Sequence, residues 1–453
     1  MKSGSSEFVK GFVKKLSSHP DFEAGDFRVV ADYSESVSIG QKENELLGPY
    51  DMPSLSKSLT ASLYVIWKDG RISNVNLNYD NMQNFECEID GWRKNSFRDE
   101  FAPAIWREEG FSGDDLRKYK NFDVEVADMT KGEAKPLFSG IDFINRELSS
   151  SAKLITVNAA ASLTRRFMYL GGASEEPAFD FSFTTCGISF DLDNVFGDSF
   201  VKRRAFKEKD LAAITDNAKF FYPAFSKKID KSDVFSKSAQ MTVVLTPPVA
   251  DSFIKKYLMS NLYGKLVVEK QSRFDIADFR SGEKVTRDDI SVLFTQSDED
   301  FEINNIPLTF EGVQAAPAHF IKNGRLNSPM LDLKYAKKAE MQPNAYLTPE
   351  MFQSSHYSVK IETGEYEAAR AVISDLSEGF IIFGVLGMHT QDHTSGDFSI
   401  SSPYAVRVVD GKPEGLAKIS LAGNFFEQLN HHNTKFLNWY QEGDCFLMRC
   451  QCS

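Results

Sequence analysis

The most constraining feature of the chain is a series of strand and turn signals between Glu378 and Phe426. An apolar run, Phe380–Leu386, ends at a glycine, which is typical of a buried strand. Two further apolar runs, Ala405–Val409 and Leu416–Leu421, flank an Asp410-Gly411 pair that predicts a tight hairpin turn. The stretch therefore predicts a β-meander, and the C-terminal part of the chain should be built on a sheet.

A polar loop, Met388–Gly396, separates the first of these strands from the next. Binding and catalytic residues concentrate in loops that a rigid scaffold positions. We therefore predict a cleft or interface site at this loop and the alternating segment that follows it. Its members are His389, Asp392, His393, Gly396, Asp397 and Ser399.

Two histidines four residues apart, His389 and His393, would share one face of a helix and could bind a metal there. The glycine, serine and threonine residues around them favour a loop, in which that spacing predicts nothing. The short spacing of Cys445, Cys450 and Cys452 lacks the second ligand pair of a zinc site and fits a terminal strand. We assign no catalytic residue and no metal ligand.

The length of 453 residues is large for one hydrophobic core and predicts two domains. In the first part, the alternating segment Ser58–Trp67 and the turn Lys68–Arg71 predict a hairpin after an amphipathic helix, Phe8–Leu16. We predict an α+β fold, in which each domain has mixed or antiparallel sheet packed with helices. The N-terminal α+β domain would span 1–225 and the C-terminal β-rich domain 241–453.

Three further predictions concern single elements. Phe27–Ile39 is predicted as strands interrupted at Asp32 and at Ser34–Ser36. Leu154–Leu163 and Arg165–Leu170 are predicted as two strands. Glu365–Leu376 is predicted as a helix whose inward face is Ala368, Ala369, Val372, Ile373 and Leu376.

The net charge of −12 and the pI near 5.3 argue against nucleic acid as the main partner, because phosphate binding needs a basic surface. No run approaches the roughly 18 apolar residues of a membrane span, and the first residues lack the apolar core of a signal peptide. Five cysteines form an odd, sparse set. We therefore expect a cytoplasmic protein with no membrane partner.

Several motifs of the second half occur in a defined order. Each is unspecific alone, but the ordered set resembles the TldD/PmbA family, and more closely its PmbA (TldE) branch. The resemblance is strong from about Met241 onward and weak before it, where only Ser58–Asp80 is similar. The motifs are Val243–Pro247, Leu262–Gly264, Asp288-Asp289, Phe310–Gly312, Ile321–Leu326, Gly396–Ser399 and Ala422–Asn424.

The resemblance implies a two-domain α+β protein and a role in proteolysis. TldD-like members are zinc metalloproteases with a His-Glu-x-x-x-His helix, and they work as heterodimers with a PmbA/TldE subunit that lacks it. Family roles include cleavage of unfolded peptides and processing of peptide antibiotic precursors, and some members are described as modulators of DNA gyrase. This chain has no His-Glu pair, and the predicted helix after Val244-Leu245 contains neither residue. We therefore expect a non-catalytic subunit without a cofactor, with zinc only on a TldD-like partner.

Two other functions remain open from the sequence. The chain could be a stand-alone, self-associating scaffold or peptide-binding protein, since its N-terminal part matches the family weakly. It could also be an independent hydrolase with an unusual metal site at His389 and His393. The expected partners are thus a TldD-like subunit or a second copy, and an extended peptide.

Overall fold

The computed structural model describes residues 2–42, 52–106, 120–149, 154–171, 178–230, 238–295, 301–303, 305, 307–344 and 360–453. The chain has a two-domain α+β fold, as predicted, and its described residues form three sheets packed against helices. Residues 231–237, which lie between the two predicted domains, are outside the described residues. No helix in the described part of the chain is long and apolar enough to cross a membrane.

The first half forms a six-stranded antiparallel sheet with the strand order β3-β2-β1-β4-β5-β6. Its strands are β1 (Ala24–Lys42), β2 (Ser54–Trp67), β3 (Ile72–Asn78), β4 (Leu154–Leu170), β5 (Phe179–Leu192) and β6 (Phe196–Lys202). The hairpin predicted at Lys68–Arg71 connects β2 to β3, and Gly70 supplies the positive φ of +80° that the turn needs.

The predicted break in β1 was wrong. Asp32 accepts two hydrogen bonds of 2.7 Å from Arg166 on β4. The hydroxyl of Ser34 is 2.9 Å from that of Thr164 on the same strand. These cross-strand contacts satisfy the polar side chains inside the sheet, so β1 continues without interruption. The predicted division of β4 was wrong for the same reason, since its residues Arg165 and Arg166 pair with β1 and β5.

Two groups of helices cover one face of this sheet. Helices α1 (Lys2–Ser18), α2 (Tyr79–Gln83) and α3 (Ile89–Lys94) pack over one half of the strands. Helices α4 (Val124–Met129), α5 (Lys135–Leu148) and α6 (Glu208–Phe225) pack over the other half. Helix α1 confirms the helix predicted at Phe8–Leu16, with Val9, Phe12 and Leu16 buried.

The second half contains a seven-stranded sheet with the order β12-β16-β17-β15-β14-β13-β7, in which β17 also pairs with β7. The five strands β7, β13, β14, β15 and β17 therefore close into a ring. The strands are β7 (Ala239–Leu245), β12 (Glu367–Ala368), β13 (Glu378–Leu386), β14 (Asp397–Val409), β15 (Lys412–Asn424), β16 (Lys435–Asn438) and β17 (Cys445–Cys452). The predicted meander is β13-β14-β15, and its turn has positive φ at Asp410 and Gly411.

A four-stranded sheet with the order β10-β9-β8-β11 completes the sheet structure of the described residues. Its strands are β8 (Ser291–Phe294), β9 (Ala318–Lys322), β10 (Arg325–Leu326) and β11 (Lys360–Glu362). Helices described in this half include α7 (Pro247–Phe253), α8 (Gly264–Val268), α9 (Ile276–Ser281), α10 (Leu333–Ala339), α11 (Ala369–Ser374) and α12 (Phe425–Asn430).

The helix predicted at Glu365–Leu376 was wrong at its start. Glu367 and Ala368 form β12 instead, which pairs in parallel with β16, and only Ala369–Ser374 is helical. This pairing joins residues about 70 positions apart, so the local alanine pattern could not indicate it.

Candidate functional site

The loop Met388–Gly396 lies where β13 ends and β14 begins. Gly387 has φ +93° and starts a short 3₁₀ turn, Met388–Thr390, and Gly396 has φ +79° and leads into β14. A Cβ on Gly396 would lie 2.4 Å from the ring of Phe426, whereas one on Gly387 would meet nothing within 4 Å. The segment is a loop rather than a helix, as predicted, and glycine is needed at its second end for space as well as for φ.

Side chains of the loop fix its own shape. Oδ1 of Asp392 accepts hydrogen bonds of 2.8 Å from the backbone N–H and the hydroxyl of Thr394. These bonds favour the carboxylate and lower the pKa of Asp392. Gln391 donates to the carbonyl of Gly387 at 3.0 Å and accepts from the N–H of Ser399 at 3.0 Å. The loop is thereby tied to both neighbouring strands.

Helix α7 continues as a π-helix, Ile254–Met259, and a last α-helical turn, Ser260–Leu262. The fully buried Asn261 donates 2.7 Å hydrogen bonds to the carbonyls of Tyr257 and His393. Its Oδ1 accepts from the N–H of Arg273 at 2.5 Å and from the hydroxyl of Ser272 at 3.2 Å. Asn261 thus connects the helix, the segment after it and the loop.

Two neighbours of Asn261 on the π-helix also contact the loop region. The hydroxyl of Tyr257 donates to the carbonyl of Asp397 at 3.0 Å, and burial raises the pKa of Tyr257. The amine of Lys256 donates to the carbonyl of His389 at 3.4 Å. π-helical turns occur frequently at functional sites, and here one directs polar side chains at a loop.

The opposite side of the loop is held by Arg273 and Asn424. The guanidinium of Arg273 donates to the carbonyls of Thr394 and Ser395 at 3.1 and 3.4 Å, and its Cζ lies 4.6 Å from the ring centre of Phe426. Asn424 donates to the carbonyl of Ser395 at 2.9 Å and to Oδ1 of Asp397 at 2.8 Å. Nε2 of His393 lies 2.9 Å from the carbonyl of Gln271, to which it donates.

The six predicted site residues lie together, but they contribute in two ways. The backbone carbonyls of His389, His393 and Asp397 accept bonds from α7 and its continuation. The side chains of His389, Asp392, Asp397 and Ser399 are exposed. The neighbouring helix therefore holds this region through backbone carbonyls, while the side chains of these four residues are exposed to solvent. Whether they bind a ligand or a partner stays a prediction.

The residues that hold the loop from 121 to 140 positions away in the chain were not predicted from the sequence; they are Asn261, Arg273, Tyr257 and Lys256. The motif Leu262–Gly264 directly after Asn261 was the available signal, but nothing local relates it to His393. Residue types alone do not indicate contacts over such separations.

Metal-binding groups are not gathered here. Among the described residues, no three or more His, Cys, Asp or Glu side chains are placed to hold a metal ion. Nε2 of His393 is engaged with Gln271, and the acidic residue of α7, Asp251, forms an ion pair of 2.7 Å with Lys255.

Comparison with known proteins identifies the C-terminal half and the fold. The profile of the PmbA/TldA metallopeptidase C-terminal domain matches residues 238–438. No curated protein sequence matches the chain.

Three solved structures share the fold over nearly the whole length. TldE from Thermococcus kodakarensis superposes with a TM-score of 0.69 at 16% identity, over 99% of both chains. Candidate modulators of DNA gyrase give TM-scores of 0.70 (Bacteroides thetaiotaomicron, 15% identity, 100% of both chains) and 0.68 (Thermotoga maritima, 14% identity, 98% of this chain and 100% of the other). Residues 238–438 are thus similar to the C-terminal domain of the PmbA/TldA metallopeptidase family, in agreement with the resemblance that the ordered motifs predict.

Proposed function

We propose that the chain is the PmbA/TldE-like subunit of a TldD-type metalloprotease, and that it helps to bind unfolded peptides without cleaving them itself. A zinc hydrolase needs about three protein ligands and a carboxylate base. The observation that carries the proposal is helix α7 with its π-helical continuation. There Asp251 and Lys255 form an ion pair with each other, and Asn261 donates a hydrogen bond to the loop carbonyl of His393.

An exposed apolar pair beside the loop supports peptide binding. Leu386, the last residue of β13, is 62% exposed, and Tyr404 on β14 is 39% exposed. Their strands pair here, with Gly384 opposite Tyr404. Exposed apolar side chains near the loop offer a surface that the side chains of an extended peptide can contact. All five cysteines are free thiols, which agrees with a cytoplasmic complex.

The proposal is tested by using this chain as bait in an extract of its own cells. We expect to recover a chain with a His-Glu-x-x-x-His helix, together with cleavage of an unfolded peptide that a zinc chelator abolishes. If a TldD-like protein added in excess neither binds nor gains activity, the proposal is wrong.

The role of the loop is tested with two single histidine variants. His389→Ala removes an exposed side chain from the site loop, and His432→Ala removes an exposed side chain from a different loop. We expect His389→Ala to weaken partner or peptide binding by at least about tenfold, the usual effect of losing a hot-spot contact. His432→Ala should leave binding unchanged. Equal behaviour of the two variants would exclude the loop from the interface.

A stand-alone, self-associating binding protein is the second candidate. It is favoured by the extent of the family match, which covers residues 238–438 and none of the N-terminal sheet. A divergent N-terminal half need not keep a protease-binding surface. Recovery of the chain alone as a dimer, without peptidase activity, would support this function.

A further inference from the structure

A surface cavity of about 470 Å³ lies beside the hairpin of β9 and β10, outside the loop Met388–Gly396. The buried Leu326 forms part of its wall, and its polar residues are Asp288, Lys322, Asn323, Arg325 and Asn327. This volume falls within the roughly 300–1,000 Å³ that is usual for small-molecule sites. We call it the hairpin cavity.

The turn of the hairpin is held tightly against the segment before β8. Asn323 and Gly324 have φ of +48° and +75°, as a two-residue turn requires. The carbonyl of Gly324 accepts the N–H groups of Val285 and Thr286 at 2.8 and 3.1 Å, and its own N–H donates to Ile290 at 2.8 Å. A Cβ on Gly324 would lie 2.5 Å from the carbonyl oxygen of Thr286. The backbone on both sides of the turn is therefore fixed.

Two cations at the hairpin cavity lie directly opposite each other. Lys322, the last residue of β9, is the cross-strand partner of Arg325, the first residue of β10. Like charges in this arrangement destabilise a hairpin. In the part of the chain that the structure describes, neither side chain forms an ion pair with a carboxylate, and Arg325 donates only to the carbonyl of Gly282, at 3.1 Å. Most of their N–H donors are thus available to a ligand.

The acidic residues near the hairpin cavity do not compensate these charges. Oδ1 of Asp288 forms an ion pair of 2.9 Å with Lys284. The carboxyl group of Glu283 is hydrogen-bonded to Asp278. The cavity therefore has an excess of positive charge, although the whole chain has a net charge of −12. Such a local excess favours an anionic ligand.

We propose that the hairpin cavity binds the C-terminal carboxylate of a peptide, with Lys322 and Arg325 as its donors. Charge-assisted hydrogen bonds from a guanidinium and an amine suit a carboxylate. Acceptors are present as well, since Asp288 has a second carboxylate oxygen and the amide of Asn327 donates to His319 through its nitrogen, at 2.9 Å, which leaves its oxygen. These oxygens suit the backbone N–H of the last peptide residue. A phosphate dianion has no N–H for them and would bring a second negative charge near Asp288.

The inference rests on the proposed binding of peptides, and it adds the chemical group that is recognised and the residues that bind it. The test uses the full-length chain and an N-acetylated alanine-serine pentapeptide, prepared as the free acid and as the C-terminal amide. Isothermal titration calorimetry at low salt measures both affinities. We expect the free acid to bind about tenfold more tightly, because only the free acid makes the charge-assisted bonds. Added salt should reduce this difference, because both cations are exposed.

Lys322→Gln is the informative variant, because among the described residues this side chain has no hydrogen bond or ion pair to lose. It should weaken binding of the free acid about three- to tenfold and leave binding of the amide unchanged. Lys412→Gln is the matched control, since Lys412 is an exposed lysine beside the two-residue turn between β14 and β15. It should keep the full preference for the free acid. Circular dichroism checks that both variants fold.

Three results would overturn the inference. They are no binding of the free acid to the unchanged chain, equal affinity for the free acid and the amide, and an unchanged preference in Lys322→Gln. The bait experiment is separate from this test. If no protease is recovered but the free acid is preferred, only the protease role is wrong. If a protease is recovered but the two peptides bind equally, only this inference is wrong.

Discussion

At the scale of single residues, Asn261 holds the candidate site together. It is fully buried, and both its amide nitrogen and its amide oxygen are hydrogen-bonded. Asn261→Asp keeps the shape but places a carboxylate against the carbonyls of Tyr257 and His393. We expect a loss of about 2–4 kcal/mol in the free energy of unfolding, because the two hydrogen bonds that the amide nitrogen donates are lost and a buried carboxylate then faces two carbonyl oxygens. Chemical denaturation monitored by fluorescence measures this loss.

Asn76→Asp is the matched control, because Asn76 is exposed on the outer strand β3. The same chemical change there should alter the free energy of unfolding by less than about 0.5 kcal/mol. Equal effects of the two substitutions would show that the buried hydrogen bonds of Asn261 do not stabilise the fold.

The residue scale also shows how far the candidate site was predictable. The exposed loop was found from the sequence because its polar residues and glycines are contiguous, between a buried strand and an alternating one. The residues that fix it are a buried asparagine and an arginine stacked on Phe426. Asn261 and Arg273 have no local pattern that distinguishes them from other helix and loop residues. Their roles depend on tertiary contacts.

At the scale of elements, the predictions were confirmed where the apolar periodicity of the sequence decides the structure. The meander β13-β14-β15, helix α1 and the hairpin β2-β3 all have one strongly apolar face. The prediction failed where polar residues lie inside strands, as at Asp32 and Arg166, which satisfy each other across β1 and β4. It also failed at β12, whose two residues are held by pairing with β16. In both cases a distant strand decides the conformation.

A contact between β6 and the turn before β17 provides a prediction of pH dependence. Asp198 on β6 accepts a hydrogen bond from the hydroxyl of Tyr440, and burial raises the pKa of Asp198 to about 7. Burial likewise raises the pKa of Asp444 in this turn to about 6, although its carboxylate accepts three backbone N–H bonds. The folded chain therefore binds these protons more tightly than the unfolded chain, whose aspartates have a pKa of about 3.9.

This stabilisation is fully present below about pH 4 and is lost as the pH rises through about 7. Asp198→Asn should remove part of this loss of stability. Between pH 5 and pH 8 the free energy of unfolding of the variant should fall about 1–2 kcal/mol less than that of the unchanged chain. The expected difference is smaller than the full pKa shift implies, because Asp198 is only half-buried. Urea denaturation at several pH values measures the slope.

Tyr440→Phe is the informative second variant. It removes the hydrogen bond that favours the charged form of Asp198. The fall in the free energy of unfolding should therefore occur at higher pH than in the unchanged chain. An Asp198→Asn protein with an unchanged slope would show that this contact does not set the pH dependence.

At the scale of the whole molecule, the two halves share their hydrophobic cores. One core combines Val30, Met168 and Phe181 of the six-stranded sheet with Val243 and Phe380 of the C-terminal ring. A second core combines α5 and α6 with Ile381, Val406 and Leu447. Domains that bury apolar residues against each other lose that burial when either unfolds. We therefore expect both halves to unfold in one cooperative transition.

Phe383 on β13 tests this coupling, because its ring joins the halves. Its centre lies 5.2 Å from that of Phe221 and 5.1 Å from that of Phe225, both on α6, and 5.7 Å from that of Phe196 on β6. Phe383→Ala should lower the free energy of unfolding by about 2–4 kcal/mol, somewhat less than for a fully buried ring. The control Phe97→Ala removes a ring that is 48% exposed and should cost less than about 1 kcal/mol.

Native-state hydrogen exchange distinguishes a loss of stability in both halves from a loss confined to one half. If the halves unfold together, Phe383→Ala lowers the protection of β1 and β4 in the first half as much as that of β14 and β15 in the second. If the halves unfold separately, protection falls in one sheet only and denaturation shows two transitions. The shared cores favour the first result, because Phe383 belongs to the C-terminal ring while its nearest ring contacts are on α6 and β6. A substitution in the second half should then be measurable in the first.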